Sequence, residues 1–155
     1  MKILKNIFYS KMKQTVILIL SVFLFSCKED RSEVEKVRAE VFVIHDEVMP
    51  KMDKLMELRE AITQEITIAD SIIKISKNET MAVKKSTALS IGQDLDDADR
   101  EMMDWMQQYK DDSVNTMTKE KAIEYLNFEK KKIIVVRDKM LESINKAQKF
   151  TDSNP

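Results

Sequence analysis

Five residues have the side chains and the spacing to bind a soft metal ion. Met49 and Met52 follow His45 at spacings of four and seven, so the three share one face of a helix. Met102 and Met106 lie four residues apart on a second helical segment. Thioether and imidazole groups are ligands that suit Cu(I). The set therefore predicts a Cu(I) or Ag(I) site between two helices.

The same methionines also fit the core of a helical protein. Methionine is unbranched and polarizable, so it fills irregular gaps between helices without strain. His45, the only histidine, equally fits a solvated residue beside Asp46 and Glu47. We favour core packing, and the metal site is the alternative.

Cys27, the only cysteine, indicates a different chemistry. Residues 15–25 form an apolar run of eleven, too short to span a bilayer but typical of the apolar region of a signal peptide. Four lysines precede this run, at positions 2, 5, 11 and 13, and translation can start at Met1 or Met12. The block Leu24-Phe25-Ser26-Cys27 resembles the lipobox of bacterial lipoproteins.

This resemblance implies a signal peptide over residues 1–26, a covalent lipid on Cys27 and a short tether over residues 27–31. Lys28-Glu29-Asp30 resembles the signal that follows the lipidated cysteine in surface-displayed lipoproteins of the Bacteroidota. We therefore expect an outer membrane lipoprotein of a Gram-negative bacterium, on either face of that membrane. The resemblance implies no cofactor besides the lipid.

The charge and composition of residues 28–155 restrict the fold class and the kind of partner that this part of the chain can have. The leader holds four of the 26 basic residues, which leaves 22 against 27 acidic residues in residues 28–155 and a net charge of −5. This charge argues against a nucleic-acid partner, which requires a basic face. One glycine and two prolines are too few for a sheet or a loop-rich fold, so long helices are expected.

Apolar residues recur at steps of three and four in three long segments, the pattern of helices packed side by side. The pattern predicts helices over about residues 32–76, 80–110 and 118–149, within a domain of residues 32–150 and before a frayed tail of residues 151–155. Glu129 occupies one position of the third segment at which an apolar residue is expected.

Short connections make neighbouring helices antiparallel. We expect an all-α, antiparallel three-helix bundle whose long first helix is kinked near Pro50. Turns centred at residues 78 and 114 would pair positions whose numbers sum to about 156 and about 228. Residues 32–45 would then lack a partner on the second helix. A bend that covers them is our preferred solution, over the base of the bundle or over the loop at 111–117. A homodimer through residues 32–45 is the alternative.

The block from His45 to Met52, together with Met102–Met106, resembles small uncharacterised helical lipoproteins of the Bacteroidota, over most of residues 32–148. The resemblance implies no activity and no site residues. The chain also lacks a phosphate-binding glycine loop, a Gly-x-Ser-x-Gly or His-Glu-x-x-His motif and a spare cysteine nucleophile. We expect a structural or protein-binding role in the cell envelope, with a protein partner and without catalysis, and soft-metal binding as the alternative.

Overall fold

The computed structural model describes residues 30–153, and from Arg31 onward the chain forms one compact unit. These residues form helices and no strand, which confirms the prediction of an all-α chain over this range. The elements are α1 (Ser32–Val48), a 3₁₀ turn (Met49–Lys51), α2 (Met52–Ser76), α3 (Glu79–Gln108), α4 (Asp111–Val114) and α5 (Lys119–Asp152). The predicted signal peptide and the predicted lipidation site, Cys27, lie outside the described residues.

The ends of the helices follow from local backbone chemistry. Pro50 lies at the start of the 3₁₀ turn between α1 and α2, where its missing N–H and fixed φ angle disfavour a continuous α-helix. Lys77 ends α2 in the left-handed conformation, with φ 47°. The side chains of Asn78 and Thr118 accept hydrogen bonds from backbone N–H groups in the first turns of α3 and α5.

Ion pairs show which residues of neighbouring helices lie side by side. Between α2 and α3 they join Arg59 to Asp96, Glu65 to Lys84 and Asp70 to Lys85. Between α3 and α5 they join Asp94 to Lys146 and Glu101 to Lys139. Between α1 and α5 they join Glu33 to Lys119, Glu40 to Lys130 and Glu47 to Arg137. Residue numbers run in opposite directions from Arg59–Asp96 to Asp70–Lys85 and throughout the second series. They run in the same direction in the third series.

The register of α3 on α5 differs from the predicted one. The numbers of Glu101 and Lys139 sum to 240, as do those of Asp94 and Lys146, whereas a turn at residue 114 predicts about 228. The predicted register is therefore wrong by about twelve residues. The first turns of α5 extend beyond the end of α3, and the ion pairs of α5 there are with α1.

This extension of α5 explains how the start of α1 is covered. Val34 and Val41, within the segment predicted to lack a partner on the second helix, are fully buried in the common core. Arg38 on α1 also bonds to Asp111, at the start of the 111–117 segment. These valines therefore need no second copy of the chain to bury them.

The core runs between α1, α2, α3 and α5. Its largest fully buried side chains, each of which stabilises the fold by roughly 1.5–3 kcal/mol, are Leu55, Ile62, Leu95, Met102, Leu126, Ile133 and Met140. None of the helices in the described range has both the length and the apolar character that a membrane span requires.

Candidate functional site

The five predicted soft-metal ligands all lie at or beside the core. Met102 is fully buried, and Met49, Met52 and Met106 are half-buried and pack against the core cluster. The side chain of His45 is one-fifth exposed, and its ring centroid lies 5.8 Å from that of Trp105. Among residues 30–153, no three His, Cys, Asp or Glu side chains converge as metal ligands. A metal site here would therefore rest on thioethers and one imidazole.

An aromatic cluster extends from this layer toward the start of α5. The ring of Tyr109 stacks on Trp105 at 5.1 Å and on Tyr125 at 6.1 Å, and Phe42 meets it edge-on at 5.8 Å. The Tyr109 hydroxyl donates to Oδ1 of Asp111 at 3.2 Å. Burial, reinforced by the charge of Asp111, raises the pKa of Tyr109 well above its usual value. Tyr125 was not predicted from the sequence as a member of this cluster.

Glu129 is the one buried acid of the described chain, with 3% of its surface exposed. One carboxylate oxygen, Oε1, accepts from Nζ of Lys132 at 3.2 Å, while Oε2 has no partner. The indole Nε1 of Trp105 is also buried without a partner. An unsatisfied buried polar group costs about 1–3 kcal/mol. Glu129, the polar residue at an expected apolar position of the third segment, therefore lowers the stability of the fold.

An open apolar groove lies between α3 and α5, beside the aromatic cluster. Its volume is about 430 Å³, and the buried side chains of Trp105 and Val136 form its floor. The walls are formed by Glu101, Asp104 and Gln108 of α3 and by Phe128, Lys131, Lys132 and Val135 of α5. We call this hollow, together with its extension described next, the α3–α5 groove.

The groove continues along α5 toward the start of that helix. A second hollow of about 510 Å³ shares Phe128 and Lys131 with the first and extends to Met117. From Met117 to Val136 the groove covers about 28 Å at 1.5 Å per residue. This length corresponds to about five turns of an α-helix.

Two large apolar side chains stand exposed at the edge of this groove. Phe128 is 60% exposed and Val135 is 63% exposed. Single exposed apolar residues are common on protein surfaces, and Val43 on α1 is an example at 68%. Phe128 and Val135 differ because they flank a continuous apolar hollow, a feature typical of interaction sites. The half-buried Tyr125 and the exposed Phe128 and Val135 follow one another in the sequence at spacings of three and seven.

The two walls of the groove carry opposite charges. Glu101 is paired with Lys139, and Lys132 with Glu129. Asp104 on the α3 wall and Lys131 on the α5 wall are both exposed, and neither forms an ion pair with another described residue. In the hollow around Trp105, the α3 side thus has an acid without an ion pair and the α5 side a base without one, while the extension adds Lys121 and Glu124.

Comparison of the chain with protein-family models, with curated proteins and with solved structures gives no match.

Proposed function

We propose that the protein binds a protein partner through the α3–α5 groove and has a structural or adaptor role without catalysis. The observation that carries this proposal is the exposure of Phe128 and Val135 along a hollow with Trp105 on its floor. Aromatic side chains at the centre of an apolar patch supply much of the energy of protein interfaces. The length of the groove suits an amphipathic helix, which would place apolar residues at every third or fourth position into it.

We further propose that the helices form an antiparallel three-helix bundle whose long first helix is kinked near Pro50. The three series of ion pairs support this arrangement, because an up-down-up bundle makes the first and third helices parallel. The 3₁₀ turn at Pro50 supports the kink.

The lipobox resemblance supports an anchor at Cys27 in the outer membrane of a Gram-negative bacterium. Four residues lie between Cys27 and the start of α1 at Ser32, and the five residue steps span at most about 18 Å. The ion pair of Glu33 with Lys119 places the start of α1 level with the start of α5. Since the groove begins at Met117, its lower end would lie close to the membrane surface.

Photo-crosslinking in intact cells tests the groove as the binding site. A photoreactive residue in place of Val135 should give a crosslinked product, and Phe128→Asp in the same chain should remove it. The matched control is Val43→Asp, at a residue of similar exposure on α1 that does not line the groove. A product that survives Phe128→Asp, or the absence of any product, would contradict the proposal.

Soft-metal binding is the second candidate function. The observation that favours it is that Nδ1 of His45 donates to the Asp46 carboxylate at 2.9 Å, while Nε2 makes no hydrogen bond within the described range. Histidines that bind metals usually hold the second ring nitrogen in such a contact. Met49, Met52 and Met106 lie in the same half-buried layer.

A further inference from the structure

We infer that the occupant of the α3–α5 groove is a second copy of this chain, docked in parallel about a two-fold axis that runs along the groove. This inference rests on the proposed function, because it names the partner of the same surface. The observation behind it is the separation of charge across the groove. Asp104 lies on the α3 wall, Lys131 lies on the α5 wall, and neither is paired among the described residues.

Two-fold symmetry determines which charges meet when two such grooves face one another. An axis parallel to the helices places the α3 wall of each copy against the α5 wall of the other. Asp104 of one copy then faces Lys131 of the second copy, and this contact occurs twice. An axis perpendicular to the helices would instead bring each wall against its own equivalent. The parallel arrangement is therefore electrostatically complementary at Asp104 and Lys131.

The register of the helices supports the same arrangement. Positions of α3 and α5 at the same height have numbers that sum to 240, so Val135 lies level with Trp105. The parallel axis preserves height, so Val135 of each copy lies level with Trp105 of the other. Asp104 and Lys131 differ in height by five residues, about 7.5 Å. The flexible four-carbon stem of lysine can span this offset.

The direction of the chain fits two copies anchored in one membrane. A parallel pair has both α1 helices beginning at the same end of the assembly, so both chains can reach lipid on the same side. An antiparallel pair would place the two starts of α1 at opposite ends. Confinement to one membrane also raises the effective concentration of the two grooves for one another.

Reversal of the two charges tests the inference by sedimentation equilibrium on residues 28–155, which contain the whole compact unit. Asp104→Lys and Lys131→Glu should each weaken self-association by at least about fivefold, because each homodimer then has two like-charge contacts. An equimolar mixture of the two variants should recover wild-type association, since both contacts become attractive again. The controls are Asp53→Lys and Lys51→Glu, at exposed charges that do not line the groove. These variants should self-associate as the wild type does.

The outcomes separate this inference from the proposed function. A wild-type chain that stays monomeric at millimolar concentration, or a mixture that does not recover association, overturns the second copy as partner. If the second copy is ruled out, the photo-crosslink at position 135 still tests the groove. A crosslinked product whose mass differs from that of two copies would show that the groove binds a different protein. A product with the mass of two copies, lost in Phe128→Asp, supports the inference.

Discussion

The guanidinium of Arg31 donates a hydrogen bond to the backbone carbonyl of Val114 across 2.8 Å. Its second terminal nitrogen donates to the carbonyl of Met117 at 2.9 Å. These carbonyls lie at the end of α4 and in the segment before α5, and that of Val114 also accepts a hydrogen bond from the backbone N–H of Met117 at 3.4 Å. One side chain thus joins the start of α1 to the connection between α3 and α5.

Arg31→Ala should lower the free energy of unfolding by about 1.5–3 kcal/mol, because hydrogen bonds from a charged donor contribute that much. Urea denaturation followed by circular dichroism measures the change. Arg100→Ala is the control, since Arg100 is 60% exposed and bonds only to Asp97 one turn away. The control should lose no more than about 0.5 kcal/mol. Equal losses of stability in the two variants would show that the hydrogen bonds of Arg31 contribute no more than the exposed contact of Arg100.

Glu129→Leu should raise the free energy of unfolding by about 1–2 kcal/mol. The substitution removes a buried carboxylate whose Oε2 has no partner and places an apolar side chain in the core stripe of α5. Lys132 loses its partner at little cost, because its side chain is one-third exposed and can return to water. Thermal and urea unfolding measure the effect, with Glu129→Gln as the comparison that keeps a polar group buried. A destabilised leucine variant would mean that Glu129 has a role in stability that its contacts do not reveal.

Gly92→Ala should stabilise the chain by about 0.5–1 kcal/mol, because glycine is a poor residue for a helix interior. Gly92 lies within α3, and a Cβ atom there would meet Cγ2 of Ile62 at 3.5 Å, an ordinary van der Waals distance. The midpoint of urea unfolding gives the difference. Gly92→Leu is the matched test of space, and its longer side chain should press on Ile62 and reverse the gain. A destabilised alanine variant would show that the helices need closer contact at this point.

The faces of the helices could be predicted from sequence because burial imposes a period of three and four on apolar residues. Val34, Leu126 and Met140 follow this period within the predicted segments 32–76 and 118–149, and all three are fully buried. Axial register could not be predicted in the same way. A stripe identifies the face of a helix that packs, but sliding two helices by whole turns keeps apolar residues in contact. The short α4 and the residues around it set the offset of α5, and no periodic signal covers them.

The groove was only partly predictable for a related reason. Phe128 and Val135 form an apolar stripe beside the core stripe of α5, which the sequence pattern can reveal. The hollow exists because Trp105 of α3 lies across from them at a height that depends on the offset of α5. Prediction of a surface that two helices form together therefore requires their relative register, and the apolar pattern of a single helix does not determine that register.

Asp70→Asn should remove a contribution to stability that depends on pH. Lys74 and Lys85 donate hydrogen bonds to the Asp70 carboxylate and lower its pKa to about 2. An unfolded aspartate has a pKa of about 3.9, so the contribution is fully present above that value and is lost as the pH falls through the folded pKa. The difference in melting temperature between wild type and variant should therefore shrink between about pH 4 and pH 2. Asp53→Asn is the control, at an exposed aspartate that forms no ion pair within residues 30–153. A constant difference across this range would refute the prediction.

Titration with Cu(I) decides the second candidate function. If the methionine layer binds the ion, residues 28–155 should take Cu(I) from a competing chelator, and Met49→Leu/Met52→Leu/Met106→Leu should weaken binding by at least about tenfold. Leucine keeps nearly the volume of methionine and removes the thioether, so the core should remain folded.

The control variant Met56→Leu/Met103→Leu/Met117→Leu removes three methionines outside the predicted set and should bind Cu(I) as the wild type does. His45→Gln should weaken binding further, since imidazole is the only nitrogen ligand of the predicted set. Failure of the wild type to compete, or equal affinities for the two triple variants, would leave the methionines as core residues alone.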